Sequence, residues 1–149
     1  MRIHQLIASF FGIGYIGKGS GTVAAAATCL AWYFSGIGSY WIVATEVTLA
    51  LTVTGIWSSG KMESIWGHDS NRVVIDEVAG MCISLLWLPV NWKYVLMALV
   101  LFRFFDILKP LFIRRMEKLK GGWGVMMDDV LAGVYANVLA QFVVYFHWF

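Results

Sequence analysis

The chain reads as an all-α, polytopic membrane protein: one helix bundle of about five transmembrane helices, preceded by a short N-terminal interfacial segment. Three observations predict this. Of 149 residues, 60% are hydrophobic and only 13% are charged, against about 25% charged in an ordinary soluble domain. The apolar residues fall into five runs, 22–34, 40–57, 73–88, 90–105 and 130–148, without the alternation of polar and apolar residues that barrel strands show. The basic residues gather in two linkers, 61–72 and 103–120, while 35–39 and 89–92 carry no charge. No Pro/Ser-rich linker, low-complexity tract or internal repeat divides residues 1–149, so a single domain is expected.

Residues 6–16 follow Arg2 and resemble a signal-peptide core, but the polar residues 18–22 separate them from the small residues Ala24, Ala25 and Ala26. The segment is therefore expected to be retained at the interface. Gly19-Ser20-Gly21-Thr22 then reads as a turn opening a helix rich in small residues. Backbone N–H groups at such an N-terminus can cradle an anion, and Thr22 can cap the helix or donate to a phosphate. The P-loop spacing is absent. A full span needs about 20 apolar residues, or roughly 17 with snorkelling ends, so runs 40–57 and 130–148 are comfortable and the other three are short. Glu46, in the second run, is expected to hydrogen-bond across helices. Asp76 and Glu77 open the third helix, and Arg103, Asp106 and Lys109 end the fourth before Pro110. A glycine-rich turn at 121–124 leads to Asp128 and Asp129, which are expected to open the fifth helix. Cys29 and Cys82 lie in apolar runs without metal-ligand spacing and read as small core residues.

Six of the eleven Lys and Arg residues fall in 103–120, and positively charged loops stay cytoplasmic. The N-terminus is then inside, with Trp32, Trp41, Trp87, Trp92 and Trp148 at the outer interface and Trp57 and Trp123 at the inner one. This layout brings Gly21, Thr22, Asp76, Glu77, Asp106, Asp128 and Asp129 to the cytoplasmic face, at the depth of a lipid phosphate. Arg114, Arg115, Lys118 and Lys120 enforce that topology and attract an anionic bilayer at about 1 kcal/mol per charge.

Five of the nine acidic side chains sit in these clusters. A carboxylate at the edge of hydrocarbon is costly without a cationic partner. The helix macrodipole favours acids in a first turn by ~0.3 to 1 kcal/mol, which explains one acid of each pair but not two. Hard oxygen ligands in this number suit Mg²⁺ or Mn²⁺, with Asp76, Glu77, Asp106, Asp128 and Asp129 as candidate ligands. Arg103, Asp106 and Lys109 share one helical face at i, i+3 and i+6. An intrahelical ion pair is the plain reading of the triplet; phosphate contact for Arg103 and Lys109 is favoured. Gly21 and Thr22 are the other phosphate-binding candidates. His68 has Asp69 beside it and is a candidate general acid or base, although a surface His is more often incidental. Asp76, Asp106, Asp128 and His68 are thus the catalytic candidates. The Cys-x5-Arg loop of cysteine phosphatases is absent.

The motifs form an ordered set: Gly21-Thr22, Asp76-Glu77-Val78-Ala79-Gly80, Phe102-Arg103-Phe104-Phe105-Asp106-Ile107-Leu108-Lys109-Pro110, and Gly121-Gly122-Trp123-Gly124 running through Asp128-Asp129 to Gly133. Over residues 12–137 the chain resembles the phosphatidylglycerophosphatase A family of bacterial membrane phosphatases. The resemblance implies an inner-membrane enzyme that uses Mg²⁺ to remove the terminal phosphate of phosphatidylglycerophosphate, giving phosphatidylglycerol. It points to Asp76, Glu77, Arg103, Asp106, Lys109, Asp128 and Asp129 as the polar motif residues. Phe112 stands where the family commonly has a second proline, and Lys120 where a His often precedes the double glycine. Two routes stay open: in-line attack by water activated at the metal, or a covalent aspartyl-phosphate on Asp106 or Asp128. The alternatives are a phosphatase for another lipid phosphate, or a small cation- or proton-coupled transporter. The transporter predicts acids near the bilayer middle and polar positions on both halves of the bundle, a picture that only Glu46, toward the outer side, fits. No nucleic-acid partner is expected, and a homo-oligomer is compatible with the sequence.

Overall fold

The computed structural model describes residues 2–68 and 70–148. Among them the regular structure is entirely helical: α1 (Arg2–Ala8), α2 (Ser20–Ser35), α3 (Trp41–Trp66), α4 (Ile75–Leu85), α5 (Trp92–Leu108), α6 (Ile113–Met116) and α7 (Gly122–Tyr145), with 3₁₀ turns at Ile13–Ile16 and Ile37–Ser39. The five apolar runs correspond to α2, α3, α4, α5 and α7.

The shortest of these five helices is the centre of the bundle. Nine of the eleven residues of α4 are buried, as expected of a helix surrounded by others. It packs against α2, α3, α5 and α7. At 1.5 Å per residue it is about 16 Å long, so its C-terminal carbonyls end inside the bundle and need donors. Two side chains of α7 supply them. Asn137 Nδ2 donates to the carbonyls of Ser84 at 3.2 Å and Leu86 at 2.8 Å, and Gln141 Nε2 donates to Leu86 at 3.2 Å.

The surface is apolar where a soluble bundle would be polar. Leu30, Val47, Val53, Leu96, Val100 and Val138 are all exposed, while Ser58, Ser59, Thr48 and Ser84 are buried. Two helices, α3 and α7, are long and apolar enough to cross a membrane, with only 28% and 39% of their apolar windows buried. A core helix would bury most of that surface. The arrangement fits a membrane protein with its polar atoms turned inward.

Four expectations are corrected. First, α3 continues nine residues beyond the predicted run, to Trp66, because Ser58, Ser59 and Met62 pack inward and α1 lies against it, with His4 Nδ1 3.3 Å from Ser58 Oγ. Second, Trp32 is a core residue at 4% exposure, whereas Trp41, Trp57, Trp87, Trp92, Trp123 and Trp148 are exposed. Third, α7 starts at Gly122, so Asp128 and Asp129 lie in its second turn. Gly122 is inside the helix because of packing: a Cβ there would strike the backbone of Ile56 on α3. Fourth, Glu46 is exposed on α3 and makes no hydrogen bond among the described residues. Cys29 and Cys82 are free and buried, as expected.

Candidate active site

Two acidic pairs far apart in sequence meet where α4 crosses α7. Gly80 and Gly133 form the crossing: a Cβ on Gly133 would strike the Gly80 carbonyl, and one on Gly80 would lie 2.7 Å from the Asp129 carbonyl oxygen. Small residues let helix backbones approach this closely. Asp76, in the first turn of α4, is thereby brought beside Asp128 and Asp129. One carboxylate oxygen from each lies within 4.8 Å of the other two, and all three residues are buried, Asp129 at 2% exposure.

The flanking groups come from α2, α5 and the segment before α7. Glu77 faces the start of α2, where a Cβ on Gly21 would meet its carboxylate. Arg103 donates to Asp106 one helical turn on. Lys109 caps α5 in a left-handed conformation, φ 48°, which swings its ammonium out of the line of the α5 face. It donates to Asp128 at 2.9 Å and to Glu117. Partial burial works against the charged ammonium, but the bonds and charges of Glu117 and Asp128 outweigh it and hold Lys109 above its ordinary range. Lys109→Met should strip Asp128 of its cation and lower stability by about 1–3 kcal/mol, measured as a reduced Tm in detergent micelles.

Beside the carboxylates lies a cavity of about 300 Å³, lined by Gly19, Gly21, Thr22, Asp76, Glu77 and Arg103 among others. Helix α2 begins at Ser20 after Gly19 in a left-handed conformation, with no side-chain cap. Thr22 therefore does not cap the helix. Its first-turn position instead leaves its N–H, and that of Gly21, without an intrahelical acceptor, at the cavity wall. His68 is exposed, its Nδ1 donates to the Glu63 carboxylate at 2.5 Å, and it is not among the cavity-lining residues. Its expected partner Asp69 lies outside the described residues.

The donor set fits a divalent cation. Asp76 Oδ1, Asp128 Oδ1 and Glu77 Oε2 are buried with no hydrogen-bond partner, whereas Arg103 and Lys109 are engaged with Asp106, Asp128 and Glu117. Buried carboxylates left this way carry a desolvation cost of several kcal/mol each. Hard cations with all-oxygen ligands remove it.

The family model for phosphatidylglycerophosphatase A matches residues 6–144. The chain belongs to this family. A Haemophilus influenzae relative named phosphatidylglycerophosphatase A is 36% identical over 148 residues, covering 95% of this chain and 88% of that protein. An Escherichia coli relative of the same name is 33% identical over 147 residues, covering 97% and 84%. A Bacteroides thetaiotaomicron relative, 47% identical over 142 residues and covering 90% and 89%, is named "Putative phosphatidylinositol-3-phosphatase". No solved structure matches the chain. Family membership makes it a phosphatase, and it displaces the transporter reading.

Of the polar residues that the resemblance singles out, the fold draws Asp76, Asp128 and Asp129 into one cluster, puts Glu77 and Arg103 on the cavity, and makes Asp106 and Lys109 ion-pair partners of Arg103 and Asp128. Glu117 was missed from sequence. Its signal was there: it is the lone acid in 110–120, surrounded by Arg114, Arg115, Lys118 and Lys120, with Lys109 as the cation it meets.

Proposed function

We propose that the chain hydrolyses the terminal phosphomonoester of phosphatidylglycerophosphate to phosphatidylglycerol and phosphate, with Mg²⁺ as cofactor and the site at the cytoplasmic face of a multi-pass bundle. The observation that carries this is the buried Asp76, Asp128 and Asp129 cluster, with unpartnered oxygens on Asp76 and Asp128, which through Asp76 borders a cavity that also presents Arg103 and the N-terminus of α2. A helix N-terminus and an arginine are the usual receptors of a phosphate dianion. The clustering of basic residues in 103–120 supports the cytoplasmic orientation. The exposed apolar flanks of α2 and α5 support their joining α3 and α7 in the bilayer.

Asp76, Asp128 and Asp129 would hold the ion, whose bound charge would offset that of the phosphate. The chain's own groups do the rest. The N–H groups of Gly21 and Thr22 receive the phosphate oxygens, and Arg103, oriented by Asp106, neutralises charge that develops on them. As water's oxygen bonds to phosphorus, the bond from phosphorus to the glycerol oxygen breaks, and that oxygen leaves with a proton taken from solvent water. Glu77, which lines the cavity and has one carboxylate oxygen without a hydrogen-bond partner, takes the proton of the attacking water. Water attack is favoured over an aspartyl-phosphate because both candidate nucleophiles are held by cations, Asp106 by Arg103 and Asp128 by Lys109. Such pairing lowers carboxylate nucleophilicity.

The test is phosphate release by purified protein in mixed micelles. Phosphatidylglycerophosphate should be turned over with Mg²⁺, and EDTA should stop the reaction. Release that is indifferent to EDTA sinks the metal assignment. The name of the Bacteroides relative supports a second reading, phosphatidylinositol 3-phosphate as the preferred substrate; a higher kcat/KM on that lipid would replace the first.

A further inference from the structure

A second cavity, about 550 Å³, adjoins the first and shares Gly17, Ser70 and Asn71 with it. Its remaining wall is formed by Gly14, Tyr15, Ile65, Trp66 and Arg72. None of the family motifs quoted above includes these residues. The Arg72 guanidinium lies 5.9 Å from the centroid of the Trp66 ring, within cation–π range. The ring attracts the cation without using its N–H donors, which stay available to an anion. Among the described residues Arg72 has no carboxylate partner. Its backbone is fixed from both sides: a Cβ on Gly14 would strike the Arg72 carbonyl, and Ser20 Oγ donates to the carbonyl of Asn71 at 2.9 Å. The shared wall is therefore built, and it ties the start of α2 to the segment that carries Arg72.

The chemistry changes from one cavity to the next. The first carries Asp76, Glu77 and Arg103; the second carries Arg72 together with the exposed apolar side chains of Tyr15 and Ile65, and the neighbouring Ile16 is exposed as well. A phospholipid bearing a terminal phosphomonoester presents the same sequence: the monoester, a short polyol, the phosphodiester, and then the acyl region. We infer that the second cavity is the subsite for the substrate's phosphodiester, with Arg72 as its anion-binding residue and the Tyr15, Ile16 and Ile65 rim against the acyl end of the lipid. This rests on the proposal that the substrate is a lipid carrying both a phosphomonoester and a phosphodiester. It identifies the substrate class as one in which the two phosphates are a polyol apart, and it excludes phosphatidic acid, which has no diester, as the best-fitting ligand.

The experiment compares wild type, Arg72→Gln and Arg72→Lys on phosphatidylglycerophosphate and phosphatidic acid, and measures inhibition by phosphatidylglycerol, which keeps the diester and lacks the monoester. Losing a charge-assisted hydrogen bond should raise KM for phosphatidylglycerophosphate and Ki for phosphatidylglycerol in Arg72→Gln by about tenfold. Expected alongside are a kcat within about twofold of wild type, an unchanged KM for phosphatidic acid and partial recovery in Arg72→Lys. Arg72 is exposed, so Tm should not move. An unmoved KM and Ki, a fall in kcat alone, or the same rise in KM on phosphatidic acid would overturn the subsite. If wild type prefers phosphatidylinositol 3-phosphate, the proposed substrate fails; the same KM comparison, run on that diester-bearing lipid, then decides the subsite.

Discussion

Asp129→Asn should cut phosphate release by about 10³-fold or more, a loss of roughly 4 kcal/mol of transition-state stabilisation, without lowering the thermal stability of the protein. The two halves of this expectation have separate origins. Asp129 is 2% exposed and lies within 4.8 Å of carboxylate oxygens of Asp76 and Asp128, with Glu77 and Asp106 among the charges acting on it. In the metal-free protein these like charges repel in a poorly solvated place, so an isosteric neutral amide relieves strain and Tm should hold or rise. The same repulsion is what a divalent cation removes, so the variant loses a ligand charge when the ion and the phosphate dianion are to be held together. A cluster kept for function at a cost in stability behaves this way. Phosphate release and thermal unfolding, measured on one preparation with and without Mg²⁺, check both halves. Wild-type activity in Asp129→Asn would remove the cluster from the mechanism, and a large fall in Tm with activity intact would make it structural.

Gly133→Leu is expected to damage stability and activity together. Its Cβ would strike the Gly80 carbonyl and sit 3.1 Å from Ile83 Cβ, so α4 and α7 must separate. Overpacking at a close contact costs about 1–3 kcal/mol, and the Asn137 and Gln141 bonds that satisfy the end of α4 stretch with it. Because this crossing also sets the spacing of Asp76 from Asp128 and Asp129, activity should be lost even well below the unfolding temperature. Val134→Leu, next along α7 on an exposed position, is the comparison and should be nearly neutral in both measurements. Equal behaviour of the two variants in an unfolding scan and in phosphate release would refute the role given to the crossing.

The acids at 76–77, 106 and 128–129, the bases at 103 and 109 and the helical class were legible in the chain because they rest on residue type, order and run length. Five apolar runs became five helices for the same reason. The failures were of a different kind. Residues 121–124 read as a turn because glycine is permissive in isolation, yet Gly122 opens α7, packed where a side chain would strike the Ile56 backbone. Thr22 read as a cap because its local sequence allows one, while the helix started two residues earlier. Trp32 read as an interface anchor because it ends a run, and the neighbours that bury it come from elsewhere in the chain.

The sequence by itself determined which groups are present, that they are too polar for their apolar surroundings to be idle, and which family the motifs resemble. The tertiary structure alone decided which of them meet. A pair of acids at 76–77 and another at 128–129 share a site only because Gly80 and Gly133 let two helices touch, and Lys109 turns to Asp128 and Glu117 because the backbone leaves α5 in a left-handed cap. Whether a charge lies beside a partner or an unfilled oxygen depends on distances of a few ångströms between segments some fifty residues apart, and no local pattern of residue types encodes such a distance.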